Sequence, residues 1–231
     1  MISTAKKIAI IGAGGKTTLL RMLAAHKRAH RVLLTTTTHI FPVYLPESDR
    51  LYLSPQPDEL CAALCFPGIT CAGTMQGDAR KLSCLPRELL MLAEHYADYI
   101  LYEADGARRM PLKLHSETEP VILPDTAHCI IVAGLSALGK PLSECVHRYA
   151  LCPEWADTPE RPVDFEIIST CVLDAVRASQ LPTECLTVLL NQSDACTQPC
   201  EELVQTLTAH GLRCAAVSLQ TDGLPNLISD L

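Results

Sequence analysis

The chain has 231 residues, of which 48% are hydrophobic, and it carries a formal net charge of −7 at pH 7. This composition supports a substantial buried core, and the negative charge argues against a broad nucleic-acid-binding surface. The N-terminal region lacks the pattern of a secretion signal and no apolar run reaches membrane-spanning length, so we expect a cytoplasmic protein without a membrane segment.

The first predicted elements are a strand, a glycine-rich turn and a helix. The apolar run from Ile8 to Ile11 predicts the strand, a helical pattern extends from Lys16 to Ala29, and Val32 to Thr35 predicts a second strand. Between the first strand and the helix lies the segment Gly12-Ala13-Gly14-Gly15-Lys16-Thr17-Thr18. Glycines allow successive backbone N–H groups to converge on phosphate oxygens at the positive end of the helix dipole. The segment therefore predicts a phosphate-binding loop.

The polar residues of this loop have separate predicted roles. Lys16 would reach the β and γ phosphates, Thr17 would offer its hydroxyl to Mg²⁺, and Thr18 would bond another phosphate oxygen. In the usual pattern G-x-x-x-x-G-K-[ST], the first glycine would stand where this chain has Ile10. Two alternatives remain, a Rossmann dinucleotide site, whose third glycine would fall on Thr17, and a glycine-rich turn without a ligand.

Strand and helix patterns alternate along the rest of the chain. Further strands are predicted at Ile69–Ala72, Tyr99–Glu103, Cys129–Ala133, Thr187–Leu190 and Cys214–Ser218, and further helices at Arg87–Tyr96, Phe165–Ala178 and Cys200–His210. This order predicts an α/β fold, a three-layer doubly wound structure with a mainly parallel sheet of the P-loop NTPase type. We expect one domain over residues 1–231, with irregular, loop-rich segments near residues 42–86 and 153–162.

Polar residues follow two of the predicted strands, where ligands of parallel sheets bind. The second strand ends in a row of hydroxyls, Thr36, Thr37 and Thr38, and then His39. These hydroxyls could bind Mg²⁺, its waters or the γ phosphate, although threonine is also common in strands without any ligand.

The strand at Tyr99–Glu103 ends in two carboxylates, Glu103 and Asp105, which the alternation of strand side chains places on one side. Together with Lys16 they are the predicted catalytic residues. Asp105 would bind Mg²⁺ with Thr17, and Glu103 would orient the attacking water. An Asp-Gly turn is the alternative explanation for Asp105.

Cations follow this strand. Arg108, Arg109 and Lys113 could offset charge on a transferring phosphoryl group, and His147 with Arg148 forms a further candidate pair, although solvated surface is an alternative for these residues.

Asn191-Gln192-Ser193-Asp194 is similar to the guanine-reading N-K-x-D element, with Gln192 in place of the lysine. Asn191 and Asp194 would then contact the base, and both GTP and ATP remain possible. An Asx turn is the alternative interpretation of this segment.

The chain has 12 cysteines, and most of them are expected to be reduced and buried. A soft-metal site remains an alternative, because some cysteines lie four residues apart, but the sequence has no C-x-x-C pair.

In combination, these motifs resemble those of the YqeC family, accessory proteins of selenium-dependent molybdenum hydroxylases. The resemblance is carried by the glycine loop, the threonine run, Glu103-Ala104-Asp105-Gly106-Ala107, Pro111-Leu112-Lys113, Glu119 to Pro124, and His147-Arg148. It implies a P-loop NTPase-like protein in the maturation of such an enzyme, whose partners would include the hydroxylase or its cofactor-assembly proteins.

We therefore expect a Mg²⁺-dependent protein that binds GTP or ATP and hydrolyses it slowly. The alternatives are a kinase or nucleotidyltransferase for a small cofactor precursor, and a binding or chaperone module without turnover. Analogy with metal-insertion NTPases that have similar loops predicts a homodimer.

Overall fold

The computed structural model describes residues 5–38, 48–75, 82–196 and 199–231. The chain divides into two compact units that alternate along the sequence. The first unit comprises Met1–Ile10, Thr17–Asp105 and Val121–Ala127, and the second comprises Ile11–Lys16, Gly106–Pro120 and His128–Leu231. The expectation of a single domain stays a prediction.

The first unit is built on parallel strands. Its elements are β1 (Lys6–Gly12, the last two residues of which belong to the second unit), α1 (Lys16–His26), β2 (Arg31–Thr36), β3 (Arg50–Leu53), α2 (Pro57–Leu64), β4 (Gly68–Met75), β5 (Leu82–Ser83), α3 (Arg87–Tyr96) and β6 (Tyr99–Glu103). Hydrogen bonds join β1 to β6, β6 to β2, β2 to β4 and β4 to β3 in parallel, and β5 pairs with β4 in the antiparallel direction. The register places Glu103 opposite both Ile10 of β1 and Thr36 of β2.

The second unit contains β7 (Leu112–Lys113), β8 (His128–Gly134), α4 (Leu142–Cys145), β9 (Val146–His147), α5 (Pro153–Ala156), α6 (Phe165–Ser179), β10 (Leu186–Asn191), α7 (Glu201–Ala209), β11 (Arg213–Ala216) and α8 (Asn226–Ser229). The strands β8, β10 and β11 pair in parallel in that order, and β7 and β9 form a separate parallel pair. Asp164 caps the longest helix, α6, because its side chain accepts a hydrogen bond from the backbone N–H of Ile167 at 2.9 Å.

The apolar strand runs form the core. Ile8, Ile10, Val32, Ile100 and Leu189 are all 0% exposed. Parallel strands covered by helices on their faces are typically apolar along their whole length, because neither face meets water. The mainly parallel strands and flanking helices confirm the predicted α/β class, and every predicted strand and helix overlaps an observed one.

The segment at residues 42–86 differs from its prediction as an irregular stretch. Within its described part, residues 48–75 and 82–86, lie β3, α2, β4 and β5. Its prolines suggested loops, yet Pro57 occupies the first turn of α2, where a missing N–H is not needed. The side chain of Glu59 then accepts a hydrogen bond from the backbone N–H of Gln56 at 2.8 Å and closes a capping box.

The segment at residues 153–162 likewise begins with a helix, the single turn α5, again with proline at its start. Among the helices in the described ranges, none is long and apolar enough to cross a membrane.

Ile100 tests how much the buried strands contribute to stability. Its side chain is 0% exposed in β6, between β1 and β2, so Ile100→Ala should lower the free energy of unfolding by about 2–5 kcal/mol in chemical denaturation. Val121 is 43% exposed, and Val121→Ala should change it by less than about 0.5 kcal/mol. Equal losses in the two variants would contradict the observed packing.

Candidate nucleotide-binding site

Three glycines shape the turn between β1 and α1. Gly12, Gly14 and Gly15 have φ angles of 91°, 80° and 139°, in the region that residues with a β-carbon rarely adopt. The turn therefore requires glycine for its backbone conformation alone.

These glycines also lie too close to neighbouring atoms for any side chain. A β-carbon on Gly12 would lie 2.2 Å from the carbonyl oxygen of Val132, and one on Gly14 would lie 2.5 Å from the Cα of Gly134. A β-carbon on Gly15 would lie 2.2 Å from Nδ2 of Asn191. The loop is seated on the ends of β8 and β10, and its path is fixed by that contact.

Hydrogen bonds hold the loop in this seat. The backbone N–H of Ala13 donates to the carbonyl of Val132 at 2.8 Å. The side-chain amide of Asn191 donates to the carbonyl of Gly14 at 2.7 Å and accepts from the backbone N–H of Leu219 at 3.0 Å. Asn191, which the sequence suggested as a base-reading residue, thus positions the loop with both ends of its amide.

Lys16 is the first residue of α1 and is 5% exposed. Its ammonium group donates a hydrogen bond to the carbonyl of Gly12 at 2.6 Å, across the loop. The cation is therefore folded back over the segment that would surround a phosphate group.

The two other residues of the predicted base-reading element are placed differently from Asn191. Gln192 has a φ of 65°, and its side-chain oxygen accepts a hydrogen bond from the hydroxyl of Ser136 at 2.6 Å. Asp194 is exposed in the single 3-10 turn Ser193–Ala195. Base recognition by Asn191 and Asp194 stays a prediction.

The first unit contains a threonine hydroxyl and two carboxylates, Thr17, Glu103 and Asp105, whose predicted roles at a Mg²⁺ ion stay predictions. Thr17, exposed in the first turn of α1, donates its hydroxyl hydrogen bond to Oε2 of Glu103 at 3.3 Å. Glu103 is 6% exposed and Asp105 is 0% exposed. Hydroxyl and carboxylate oxygens fit the preference of Mg²⁺ for hard donors.

A metal centre built from protein side chains alone is a separate question. No group of three or more His, Cys, Asp or Glu residues in the described segments is arranged to hold a metal ion. The cysteines therefore form no such centre in those segments.

The threonine run organises the end of β2. The hydroxyl of Thr36 donates to the carbonyl of Glu103 at 2.9 Å and accepts from the backbone N–H of Thr38 at 3.0 Å. The hydroxyl of Thr37 donates to the carbonyl of Val121 at 2.7 Å. These bonds serve the main chain, and the ligand-binding role of the threonines stays a prediction. His39 lies outside the described residues.

A group of basic side chains lies in the second unit, and we call Arg108, Lys113, His147 and Arg148 the basic cluster. Glu119 joins two of them, because its Oε2 accepts hydrogen bonds from Lys113 at 2.9 Å and from Arg148 at 2.7 Å. Lys113 also donates to the carbonyl of Gly106 at 2.7 Å. Burial alone would raise the pKa of Glu119, but Lys113 and Arg148 lower it below its ordinary value.

The pKa of His147, a further member of the basic cluster, is strongly lowered. Burial, followed by the positive charges of Arg148, Lys113 and Arg108, lowers its pKa to about 4, against a smaller opposing effect of Glu119. The imidazole is therefore neutral at pH 7.

Sequence reasoning missed three residues that organise these sites: Glu119, Pro111 and Gly134. The backbone N–H of Gly134 donates to the carbonyl of Pro111 at 2.8 Å, and a β-carbon on Gly14 would lie 2.8 Å from that same carbonyl oxygen. The family resemblance included Glu119 and Pro111 in its motifs, which was the one signal available.

Comparison with known proteins identifies the family. The model of the family described as YqeC protein matches residues 8–150. The chain is also 34% identical over 219 residues to Uncharacterized protein YqeC of Escherichia coli (strain K12). This alignment covers 88% of this chain and 83% of that protein. The chain belongs to the YqeC family. Among solved structures, the structure of HypB from Helicobacter pylori in complex with nickel is similar to this YqeC-family chain. The alignment covers 94% of this chain and 80% of the HypB chain, with 11% sequence identity and a TM-score of 0.39.

The seat of the loop can be tested with two glycines of similar backbone conformation. Gly14 and Gly139 have φ angles of 80° and 73°, but a β-carbon on Gly139 would meet no atom within 4 Å. Gly139→Ala should cost about 1–2 kcal/mol of unfolding free energy from backbone strain. Gly14→Ala should cost about 2 kcal/mol more, because neighbouring backbone must move. Equal losses of unfolding free energy in the two variants would contradict the close contact of the loop with the ends of β8 and β10.

His147 should make stability depend on pH. The folded protein resists protonation of this imidazole down to a pKa of about 4, against an ordinary value of 6.5. The unfolded chain therefore binds more protons between these values, and the free energy of unfolding should fall as the pH decreases from 6.5 towards 4. Denaturation of His147→Gln should show a shallower fall, whereas His210→Gln, at an exposed position, should match the wild type.

Proposed function

We propose that this protein binds a nucleoside triphosphate, GTP or ATP, with its phosphates at residues 12–18. The observation that carries the proposal is a loop in which Gly12, Gly14 and Gly15 each combine a positive φ angle with no space for a β-carbon. Such a loop brings backbone N–H groups together at the start of a helix, where they favour an anion. Lys16, the first residue of that helix, supplies the cation.

The same proposal includes Mg²⁺, held by Thr17 and Asp105. The ion, when bound, would neutralise charge on the phosphate oxygens. Glu103 would orient the attacking water, and its 3.3 Å hydrogen bond with Thr17 places this carboxylate beside a proposed metal ligand. These assignments predict slow hydrolysis of the nucleotide.

We infer an accessory role from membership of the YqeC family, because resemblance to this family implies that the protein takes part in the maturation of a selenium-dependent molybdenum hydroxylase. In that role, hydrolysis would drive a conformational change during cofactor delivery or insertion, in the cytoplasm. The hydroxylase or its cofactor-assembly proteins would be the partners, and the protein would act as a homodimer. Copurification with a candidate hydroxylase, with and without nucleotide, would test the partner.

One observation favours a second function, transfer of a phosphoryl or nucleotidyl group to a small cofactor precursor. The segment that bears Lys113 packs on the loop through Pro111, so a second substrate could be held next to the nucleotide. Product analysis separates the two functions, since a transferase would modify the precursor and a hydrolase would release inorganic phosphate.

Calorimetry with Lys16→Ala tests the nucleotide site. Wild-type protein with Mg²⁺ should bind GTP or ATP in the micromolar range, and Lys16→Ala should weaken binding about 10–100-fold through loss of a charged hydrogen bond. Lys140→Ala, at an exposed lysine of the second unit, is the matched control and should bind normally. Absence of binding to both nucleotides would contradict the proposal.

Glu103→Gln tests hydrolysis separately from binding. Because the substitution removes the water-orienting charge, it should decrease the turnover rate at least about tenfold and leave the dissociation constant nearly unchanged. Release of inorganic phosphate, measured beside calorimetric affinity, gives both quantities. Wild-type protein that binds nucleotide without any turnover would instead indicate a binding or chaperone module.

A further inference from the structure

We propose that Cys196 and Cys200 form a redox-active dithiol, which a low-molecular-weight disulfide such as oxidised glutathione converts reversibly into an intramolecular disulfide. The proposal goes beyond nucleotide binding, because it concerns two side chains that the nucleotide site leaves unused. Four observations support it: the contact between the two sulfur atoms, the positions of the two residues at the ends of elements, their partial exposure, and the hydrogen bond between the thiols.

The two sulfur atoms are in contact with each other. The thiol of Cys200 donates a hydrogen bond to the sulfur of Cys196, and the distance between the sulfur atoms is 3.4 Å. A disulfide bond is about 2.0 Å long, so the two atoms must approach each other by about 1.4 Å. Rotation of two side chains can provide an approach of this size, and the pair therefore needs adjustment rather than refolding to close a disulfide.

Both residues lie at the end of an element and not inside one. Cys196 follows the 3-10 turn Ser193–Ala195 in an extended conformation, with a φ of −93° and a ψ of 122°. Cys200 precedes the first residue of α7. The interior hydrogen bonds of a helix do not hold the two residues apart, so their side chains can turn towards each other.

Partial exposure gives a small oxidant access to both thiols. Cys196 and Cys200 are partly exposed, whereas Cys71 and Cys171 are buried. Burial raises the pKa of Cys71 and of Cys171, so these two thiols stay protonated. Buried, protonated thiols react slowly, because the thiolate is the nucleophile. A dissolved disulfide can therefore reach Cys196 and Cys200 more readily than these buried cysteines.

The hydrogen bond between the thiols assigns them different roles. Burial, followed by the hydrogen bond with Cys196 and the nearby charges of Cys196 and Glu201, raises the pKa of Cys200 to about 11. Cys200 therefore keeps its proton at pH 7. A thiolate can accept a hydrogen bond but cannot donate one, so the charged sulfur of the pair is that of Cys196. Cys196 is the first nucleophile, and Cys200 is the thiol that completes the reaction.

The reaction consists of two exchange steps. The thiolate of Cys196 attacks one sulfur of oxidised glutathione, which forms a mixed disulfide and releases one glutathione thiolate. Cys200 then loses its proton to this released thiolate, and its sulfur attacks the sulfur of Cys196. This second step forms the protein disulfide and releases the other half of glutathione. In total the two protein thiols lose two electrons and two protons, and oxidised glutathione gains them as two molecules of reduced glutathione.

Reversibility agrees with the expectation of a cytoplasmic protein. Structural disulfides are rare in the cytosol, and the disulfides that do occur there are usually transient, catalytic or redox-sensing. The disulfide would connect the turn Ser193–Ala195, which follows shortly after Asn191, to the start of α7. It would therefore act as a removable covalent brace within the second unit.

Equilibration of the full-length wild-type protein in glutathione buffers tests the proposal. The ratio of oxidised to reduced glutathione is increased in steps, each sample is quenched with acid and alkylated, and the mass of the peptide that contains Cys196 and Cys200 is measured. We expect this peptide to change from two alkylated thiols to one internal disulfide as the ratio increases. Addition of excess reduced glutathione should then restore both thiols.

Two variants test the order of the exchange steps. Cys200→Ser should accumulate glutathione on Cys196 and form no internal disulfide, because the thiol that displaces glutathione is missing. In Cys196→Ser, glutathione should attach to Cys200 at least about tenfold more slowly than to Cys196 in the Cys200→Ser variant, because Cys200 stays protonated. Equal rates of attachment would overturn the assignment of Cys196 as the first nucleophile.

The double variant Cys61→Ser/Cys65→Ser is the matched control. These two cysteines have the same four-residue spacing, but Cys61 lies inside α2 and Cys65 directly after it. The control should form the disulfide between Cys196 and Cys200 at the same buffer composition as the wild type. Thermal unfolding of each variant identifies any that fail to fold, and the wild-type masses decide the proposal even then.

The proposal is overturned if Cys196 and Cys200 of the wild-type protein remain thiols, or each carry glutathione, in a large excess of oxidised glutathione. It is also overturned if either residue forms its disulfide with another cysteine, or if excess reduced glutathione does not reverse the bond. Nucleotide affinity, measured separately under reducing conditions, decides the first proposal without reference to this result.

Discussion

Close contact between backbones at residues 12–15 is the constraint on which the candidate site depends. The carbonyl of Val132, the Cα of Gly134 and the amide of Asn191 occupy the positions where β-carbons of the loop would lie. Two parallel neighbours, β8 and β10, thus carry the loop at their carboxyl ends. Because strand ends in a packed sheet move little, the loop amides gain a fixed direction before any ligand arrives, which lowers the entropy lost on binding.

Electrostatics show why the net charge of the chain is a poor guide to its ligands. The protein carries a net charge of −7, yet Lys113 and Arg148 both bond Glu119, and these two cations act together with Arg108 on His147. Interactions between charges weaken within about 10 Å in salt, so a local group of cations can attract an anion on an acidic protein. The neutral state of His147 has the same origin, since it follows from its buried, positively charged surroundings.

The sequence predicted those features that depend on local chemistry. The glycine loop before Lys16 and the carboxylates after an apolar strand could be predicted, because residue types and spacing determine them. The role of Asn191 in positioning the loop could not be predicted, because it depends on a hydrogen bond to Gly14, which lies 177 positions away in the chain. The bridge at Glu119 depends in the same way on the pairing of β7 with β9, whose two-residue strands have no detectable period. Helix α2 was missed because proline marks both loops and helix starts.

The hydrogen bond from Lys16 to the carbonyl of Gly12, at 2.6 Å, has a consequence for selectivity. An arriving anion must draw the ammonium away from an acceptor that it already has, so recognition is an exchange of partners. The net gain is the difference between two charged hydrogen bonds. A weakly charged solute gains little from this exchange, whereas a polyphosphate gains much more. At the proposed nucleotide site, the lysine would therefore discriminate between anions by their charge.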